Sequence, residues 1–150
     1  MKNQEADCPK VLFLCTGNYY RSRFAEVLFN HRAVRDGHGW RADSRGLCLN
    51  DGNVGPISPH ALAGFERLGI VVESEHRFPL PLTEEDLDGA VHVVALKKTE
   101  HLPLIVAQFS DWVHRVEYWR VHDLDFAEPH EALPMIEQEV EGLLKRLASD

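Results

Sequence analysis

A cysteine and an arginine stand six residues apart where an apolar run gives way to a helix-like pattern. Cys15 ends the run KVLFLC, and Arg21 and Ser22 open the segment that follows. A loop between a strand and a helix N-terminus points several backbone N–H groups into one concavity, and the helix dipole adds partial positive charge there. The spacing therefore predicts an anion site that contains a nucleophilic thiol.

The side chains of this loop suit a phosphoryl group. N–H donors and Arg21 favour the thiolate over the thiol, and the thiolate is the nucleophilic form of cysteine. Arg21 can donate two parallel N–H bonds to two oxygens, which lysine cannot do. Gly17 and Asn18 are residue types that tolerate left-handed backbone, so consecutive amides can converge on one ligand. Ser22 adds a hydroxyl close to the sulfur.

Composition and charge exclude several other functions. The chain has 150 residues, of which 44% are hydrophobic and 27% charged, as expected of one globular domain. The formal net charge of -8 argues against a nucleic acid partner, because binding a phosphate backbone needs a basic surface. Cys8, Cys15 and Cys48 form no CxxC pair and the nine histidines are scattered. We therefore expect no disulfide framework, metal or cofactor.

The N-terminal residues 1–9 form a polar extension of the single predicted domain, which takes in residues 1–150. This extension lacks the apolar region and cleavage site of a secretion signal. No apolar run approaches the roughly 18 residues that a membrane span requires. We expect a cytoplasmic protein that does not contact a membrane.

The order of predicted elements indicates an α/β fold. The predicted strands are residues 10–15, 40–44, 91–96 and 116–119. The predicted helices are residues 22–34, 59–68, 99–108 and 130–148, with a further helix start at Thr83. Strands that alternate with helices form a parallel sheet with right-handed crossovers. We expect a single-domain three-layer sandwich: a four-stranded parallel sheet flanked by helices on both faces, with ligands at the carboxyl ends of the strands.

From Cys15 to Ser22 the sequence reads CTGNYYRS and resembles the loop of the low-molecular-weight protein tyrosine phosphatases. The likeness covers nearly the whole chain. It implies that Cys15 is the catalytic nucleophile, that Arg21 is a catalytic phosphate-binding residue and that Ser22 stabilises the leaving sulfur. The substrate-binding residues that it implies are Thr16, Gly17, Asn18, Tyr19 and Tyr20.

The resemblance also implies two roles outside this loop. The family carries its general acid as an Asp-Pro pair after the last strand, and here Asp123 takes that place with Leu124 instead of proline. Asp125 stands two residues further on, so it remains an alternative acid. His76 resembles the histidine that supports the loop asparagine, here Asn18.

Departures from the family pattern leave the substrate open. Tyr20 replaces the second thiol of the loop, and Arg23 replaces a proline. Tyr19 is neither the threonine that goes with phosphoarginine specificity nor the aliphatic residue usual in tyrosine phosphatases. Arsenate reduction needs further thiols, yet residues 74–87, where such relatives keep a pair, contain no cysteine.

These features predict a phosphomonoester hydrolase of the protein tyrosine phosphatase type that acts through a phosphocysteine intermediate on Cys15. Phosphoarginine hydrolysis and arsenate reduction are alternatives on the same scaffold. A non-catalytic phosphate-binding protein is an alternative from another class, against which Asp123 argues. The expected ligands are a phosphorylated protein or small aryl phosphate as substrate, and inorganic phosphate or other oxyanions in the loop.

Overall fold

The described residues fold into an α/β domain around a parallel sheet of four strands. The computed structural model describes residues 8–121 and 129–148, with the backbone alone for residues 129–131. The strands are β1 (Lys10–Cys15), β2 (Arg41–Gly46), β3 (His92–Ala95) and β4 (Val116–Tyr118). The helices are α1 (Arg21–Arg35), α2 (Pro59–Arg67), α3 (Glu84–Asp88), α4 (Lys98–Gln108) and α5 (Pro129–Ala148), with a 3₁₀ helix at Ser110–Arg115.

The strand order is β2-β1-β3-β4. The chain therefore runs from β1 outward to β2 and then crosses back to β3 on the other side of β1. In open parallel sheets such a reversal opens a crevice at the carboxyl ends of the two central strands, and ligands bind there. Cys15 is the last residue of β1, so the topology places it at this crevice.

Strand β1 is buried on both of its faces. Val11 and Phe13 belong to the core cluster that includes side chains from α1, α2 and α5. Leu12 and Leu14 belong to a second cluster with side chains from α3 and α4. Because successive side chains of a strand point to opposite faces, the sheet is the middle layer of three. The predicted fold class is confirmed.

Local sequence explains where two of the helices begin. The Ser58 hydroxyl accepts a hydrogen bond from the backbone N–H of His60 at the start of α2, where Pro59 is the first helical residue. Thr83 and Asp86 form a reciprocal capping box at α3. Helix α1 differs, because Tyr20 precedes it without a side-chain capping bond. The first N–H groups of α1 therefore face the Cys15 end of the sheet without a side-chain cap.

Helix α5 packs lengthwise on α1. Ile136 and Val140 are fully buried in the shared core, and Arg32 Nε lies 3.1 Å from Glu141 Oε1 at the edge of this contact. The apolar stripe of α5 thus faces the core that it shares with α1.

In the part of the chain that the structure covers, no helix is both long enough and apolar enough to cross a bilayer.

Candidate active site

Cys15 and Ser22 meet across the loop that joins β1 to α1. The Cys15 sulfur lies 2.9 Å from the Ser22 hydroxyl oxygen. Both residues are buried, with Cys15 3% exposed and Ser22 fully enclosed. A hydroxyl at this distance can donate a hydrogen bond to a thiolate, and bonds to charged acceptors are the stronger kind. The residues 15–22, called the Cys15 loop below, bring the expected nucleophile and its expected stabiliser into contact.

Asn18 fixes the shape of the Cys15 loop. Its φ of 51° lies in the left-handed region, which few residues other than glycine adopt. Its amide nitrogen donates to the hydroxyl oxygens of Ser22 and Ser44, each at 2.9 Å. Gly17 has no such backbone angle; its lack of a side chain instead allows Asn53 to approach, since a Cβ there would lie 3.3 Å from Asn53 Nδ2.

The structure corrects the expected partner of Asn18. Asn18 Oδ1 accepts hydrogen bonds from Arg77 Nη1 at 2.9 Å and from the backbone N–H of Leu80 at 3.1 Å. His76, which was expected to support Asn18, instead lines a surface cleft beside Glu73. Resemblance alone could not decide which of two adjacent side chains points inward. Arg77 therefore takes the supporting position.

Arg77 also joins a group of charged residues beneath the Cys15 loop. Its Nη2 donates to the Ser44 carbonyl oxygen at 2.8 Å and lies 3.4 Å from Asp43 Oδ1. The Ser44 hydroxyl donates to Glu26 Oε1 at 2.5 Å. Burial raises the pKa of Glu26, although the bond from Ser44 opposes this shift. These contacts tie Asn18 to β2 and α1 through charged hydrogen bonds.

We expect the variant Arg77→Met to lower kcat/KM by at least about tenfold, because hydrogen bonds from a charged group are worth roughly 1.5–3 kcal/mol. The variant keeps the apolar stem but removes the donor to Asn18. The measurement is steady-state turnover of an aryl phosphate, with thermal unfolding as a check on folding. His76→Ala is the matched control, and a larger loss in that control than in Arg77→Met would contradict the assignment.

Arg21 pairs with a carboxylate that the sequence analysis did not identify. Arg21 is 7% exposed, and its Nη2 lies 2.9 Å from Glu100 Oε2 on α4. The Thr16 hydroxyl donates to the same oxygen, and His101 Nε2 lies 3.2 Å from it. The His101 ring, with the donors from Arg21 and Thr16, holds the pKa of Glu100 well below its usual range. Glu100 is therefore an anion that orients Arg21. In the sequence, only its place at the start of the helix that follows β3 indicates that it could lie near the site.

The two loop tyrosines occupy different environments. The Tyr19 hydroxyl donates to the Val54 carbonyl oxygen at 2.6 Å, so its half-buried ring links the Cys15 loop to the largely exposed residues 48–56. Tyr20 is 7% exposed and packs edge-on against His60, with ring centroids 6.1 Å apart. Burial raises the pKa of Tyr20 to about 12, against the opposing effect of Arg21. Tyr19 thus lies at the rim, whereas the side chain of Tyr20 belongs to the core.

Strand β2 continues alongside the Cys15 loop. The backbone N–H of Leu47 donates to the Cys15 carbonyl at 3.0 Å, and that of Cys48 donates to the Thr16 carbonyl at 2.9 Å. A Cβ at Gly46 would lie 2.9 Å from the Thr16 carbonyl oxygen. Glycine at this position therefore permits the close backbone approach that fixes the start of the loop.

The candidate acids Asp123 and Asp125 lie outside the described residues. The chain leading toward them is held at the carboxyl edge of the sheet. The backbone N–H of Trp119 donates to the Ala95 carbonyl, and that of Val121 donates to the Leu96 carbonyl, each at 2.8 Å. Val121, two residues before Asp123, is therefore held at the carboxyl ends of the strands, where Cys15 also lies.

Arg21 brings positive charge to the Cys15 loop, and the Arg77 guanidinium lies close to it through its bond to Asn18. Across residues 8–121 and 129–148, no three histidine, cysteine, aspartate or glutamate side chains are placed to hold a metal ion. The arrangement suits an anion, since a guanidinium and the uncapped N-terminus of a helix can each bind oxygens.

The sequence and the fold match one family of proteins. Residues 10–150 match the sequence model of the family described as low molecular weight phosphotyrosine protein phosphatase. The protein-arginine-phosphatase of Bacillus subtilis (strain 168) is 30% identical over 146 residues, which cover 92% of this chain and 93% of that relative. The protein-arginine-phosphatase of Geobacillus stearothermophilus is 29% identical over 147 residues, which cover 93% of each chain.

A solved structure gives the same result for the fold. The crystal structure of a low molecular weight protein tyrosine phosphatase from T. tengcongensis has a TM-score of 0.73 and 29% identity to this chain. The match covers 94% of this chain and 98% of that one. The similarity in fold therefore extends over nearly the whole length of both chains.

Proposed function

The chain belongs to the low molecular weight phosphotyrosine protein phosphatase family and is a phosphatase, and we propose that it hydrolyses aryl phosphate monoesters through a phosphocysteine intermediate on Cys15. The geometry of the Cys15 loop carries this proposal. The sulfur lies 2.9 Å from the Ser22 hydroxyl, and the Arg21 guanidinium is held in place by Glu100. The expected substrate is phosphotyrosine in a protein, or a small aryl phosphate.

In the first step the Cys15 thiolate attacks phosphorus. The sulfur–phosphorus bond forms while the bond to the leaving oxygen breaks. The N–H groups of residues 16–21 and the Arg21 guanidinium bind the three equatorial oxygens, and such preorganised donors usually supply the largest part of the rate enhancement. Asp123, the acid expected from the sequence, gives its proton to the leaving oxygen.

In the second step water hydrolyses the phosphocysteine. The Asp123 carboxylate accepts a proton from the water as its oxygen attacks phosphorus. The sulfur–phosphorus bond breaks, the sulfur leaves as a thiolate and inorganic phosphate is released. The Ser22 hydroxyl, 2.9 Å from the sulfur, donates to that thiolate.

Tyr19 supports an aromatic substrate. Its ring is anchored at the rim of the loop through the bond from its hydroxyl to the Val54 carbonyl. Contact between this ring and the ring of a substrate would be worth about 0.5–1.5 kcal/mol beyond the area that it buries. Tyr19 would therefore favour the ring of phosphotyrosine over an aliphatic phosphoester.

Phosphoarginine is the second candidate substrate. Both curated relatives described above are named protein-arginine-phosphatases. Hydrolysis of phosphoarginine would use the same loop, with the acid protonating a guanidinium nitrogen instead of a phenolic oxygen. Tyr19 is the residue on which the two candidates differ, because it replaces the threonine expected for phosphoarginine specificity.

The decisive experiment compares three peptides of one sequence that carry phosphotyrosine, phosphoarginine or phosphoserine. We expect kcat/KM to be highest for phosphotyrosine, by roughly tenfold, since an aromatic contact contributes up to about 1.5 kcal/mol. The variant Tyr19→Thr should lower the ratio of phosphotyrosine to phosphoarginine turnover. A wild-type preference for phosphoarginine would favour the second candidate, and hydrolysis of none of the three would contradict the proposal.

The cytoplasmic location stays a prediction from the sequence.

A further inference from the structure

A basic cleft lies beside the Cys15 loop at the carboxyl edge of the sheet. Its volume is about 440 Å³, and its lining residues are Lys97, Lys98, Thr99, Leu102, Pro103 and Arg120. Three of these six residues are basic and none of the six is acidic, although the whole chain has a formal net charge of -8. The basic cleft therefore carries the opposite charge to the molecule as a whole.

Backbone pairing holds together the two segments that carry the cations of the basic cleft. The N–H of Lys98 donates to the Trp119 carbonyl at 2.8 Å. Lys97 and Arg120 are paired as an antiparallel bridge between the ends of β3 and β4. The side chains of Lys98 and Arg120 are exposed. Two segments that are distant in sequence thus present positive charge on the same opening.

The basic cleft adjoins the proposed catalytic centre. Thr99 lines the cleft, and the next residue, Glu100, contacts both Arg21 and Thr16 of the Cys15 loop. Arg120 precedes the expected acid Asp123 by three residues. The basic cleft is therefore within reach of residues that neighbour a phosphorylated side chain bound in the Cys15 loop.

The residues that line the basic cleft indicate which substrate side chains it would bind. Leu102 and Pro103 offer apolar surface for the methylene groups of a side chain, while Lys98 and Arg120 offer positive charge to its end. Acidic side chains of glutamate type match both properties. Nucleic acid fits less well, because the overall charge of -8 repels an extended polyanion.

We propose that the basic cleft binds acidic residues that flank the phosphorylated residue of a protein substrate. This inference rests on the proposed function, because it presumes that a phosphoprotein is hydrolysed at Cys15. The cleft then determines which phosphorylated sites the enzyme prefers. Its contribution is one of specificity and association, as is usual for exposed charges at an interface.

Two phosphotyrosine peptides test the inference, one flanked by glutamates and one by glutamines of nearly equal shape. The kcat/KM of the glutamate peptide should exceed that of the glutamine peptide by up to about fivefold for each ion pair formed, because an exposed ion pair is worth at most about 1 kcal/mol. The difference should lie in KM and not in kcat. It should fade at high salt, because the screening length shortens from about 10 Å at 0.1 M to about 3 Å at 1 M.

Charge reversal within the cleft completes the test. Lys98→Glu and Arg120→Glu should each lower the glutamate-to-glutamine ratio, and together should bring it to one or below. Lys10→Glu is the matched control. It makes the same change of charge at an exposed residue that begins β1, and so lies at the amino ends of the strands, away from the basic cleft. A ratio near one in the wild type, or an equal fall in Lys10→Glu, would overturn the inference even if both peptides are hydrolysed.

Failure of the proposed function would be seen separately, as hydrolysis of neither peptide. Peptide affinity for the Cys15→Ser protein, followed by fluorescence anisotropy, then tests the cleft without turnover. Tighter binding of the glutamate peptide that Lys98→Glu removes would support the cleft, and equal binding of both peptides would overturn it.

Discussion

Cys15→Ser is expected to abolish turnover and to leave oxyanion binding in place. A serine hydroxyl is not ionised near neutral pH, and among the residues that the structure describes no histidine forms a hydrogen bond with Cys15 that could activate it. Loss of the nucleophile should therefore reduce kcat by a factor on the order of 10⁴ or more. Arg21 and the loop amides remain, so phosphate or vanadate should still raise the melting temperature of the variant.

Cys48→Ser is the matched control for this variant. It makes the same chemical change at a thiol that is exposed and that belongs to no catalytic step proposed above. We expect its kcat to stay close to that of the wild type. Substantial turnover by Cys15→Ser would end the phosphocysteine mechanism, whereas loss of oxyanion binding would show that the thiol itself shapes the site.

Asp123→Ala is expected to reduce turnover of phosphotyrosine by about a hundredfold or more, as for other positioned general acids. Tyrosine leaves with a pKa of about 10 and needs its proton in the transition state, while a nitrophenolate with a pKa of about 7 needs it far less. The loss should therefore be smaller on nitrophenyl phosphate. Measuring kcat on both substrates distinguishes a proton donor from a residue that only maintains structure.

Asp125→Ala is the comparison that decides between the two acids. It should change turnover of both substrates modestly and to the same extent. If instead Asp125→Ala shows the selective loss on phosphotyrosine, the acid is Asp125 and the sequence correspondence in this segment is displaced by two residues. Equal and small losses in both variants would mean that neither aspartate donates the proton.

Two contacts, that of Arg77 with Asn18 and that of Glu100 with Arg21, could not be predicted from local sequence. His76 and Arg77 are adjacent, and only the packing of their segment against β2 directs Arg77 toward Asn18. Glu100 is separated from Thr16 by 84 positions, and no local pattern relates the two residues. Likewise the polar sequence of β2 gave a weak strand signal, and its end at Gly46 follows from register with Cys15.

Local sequence patterns are sufficient to predict the fold class, the order of the elements and the position of a thiol and a guanidinium at one strand end. These properties are local: apolar periodicity and the spacing from Cys15 to Arg21 depend on neighbouring residues, and the parallel arrangement follows from alternating elements. Three further features depend on long-range packing: Arg77 supports Asn18, Glu100 orients Arg21, and the basic cleft joins the ends of β3 and β4. The physical reason is that crossover connections bring distant segments to one edge of the sheet, where packing selects which side chains meet.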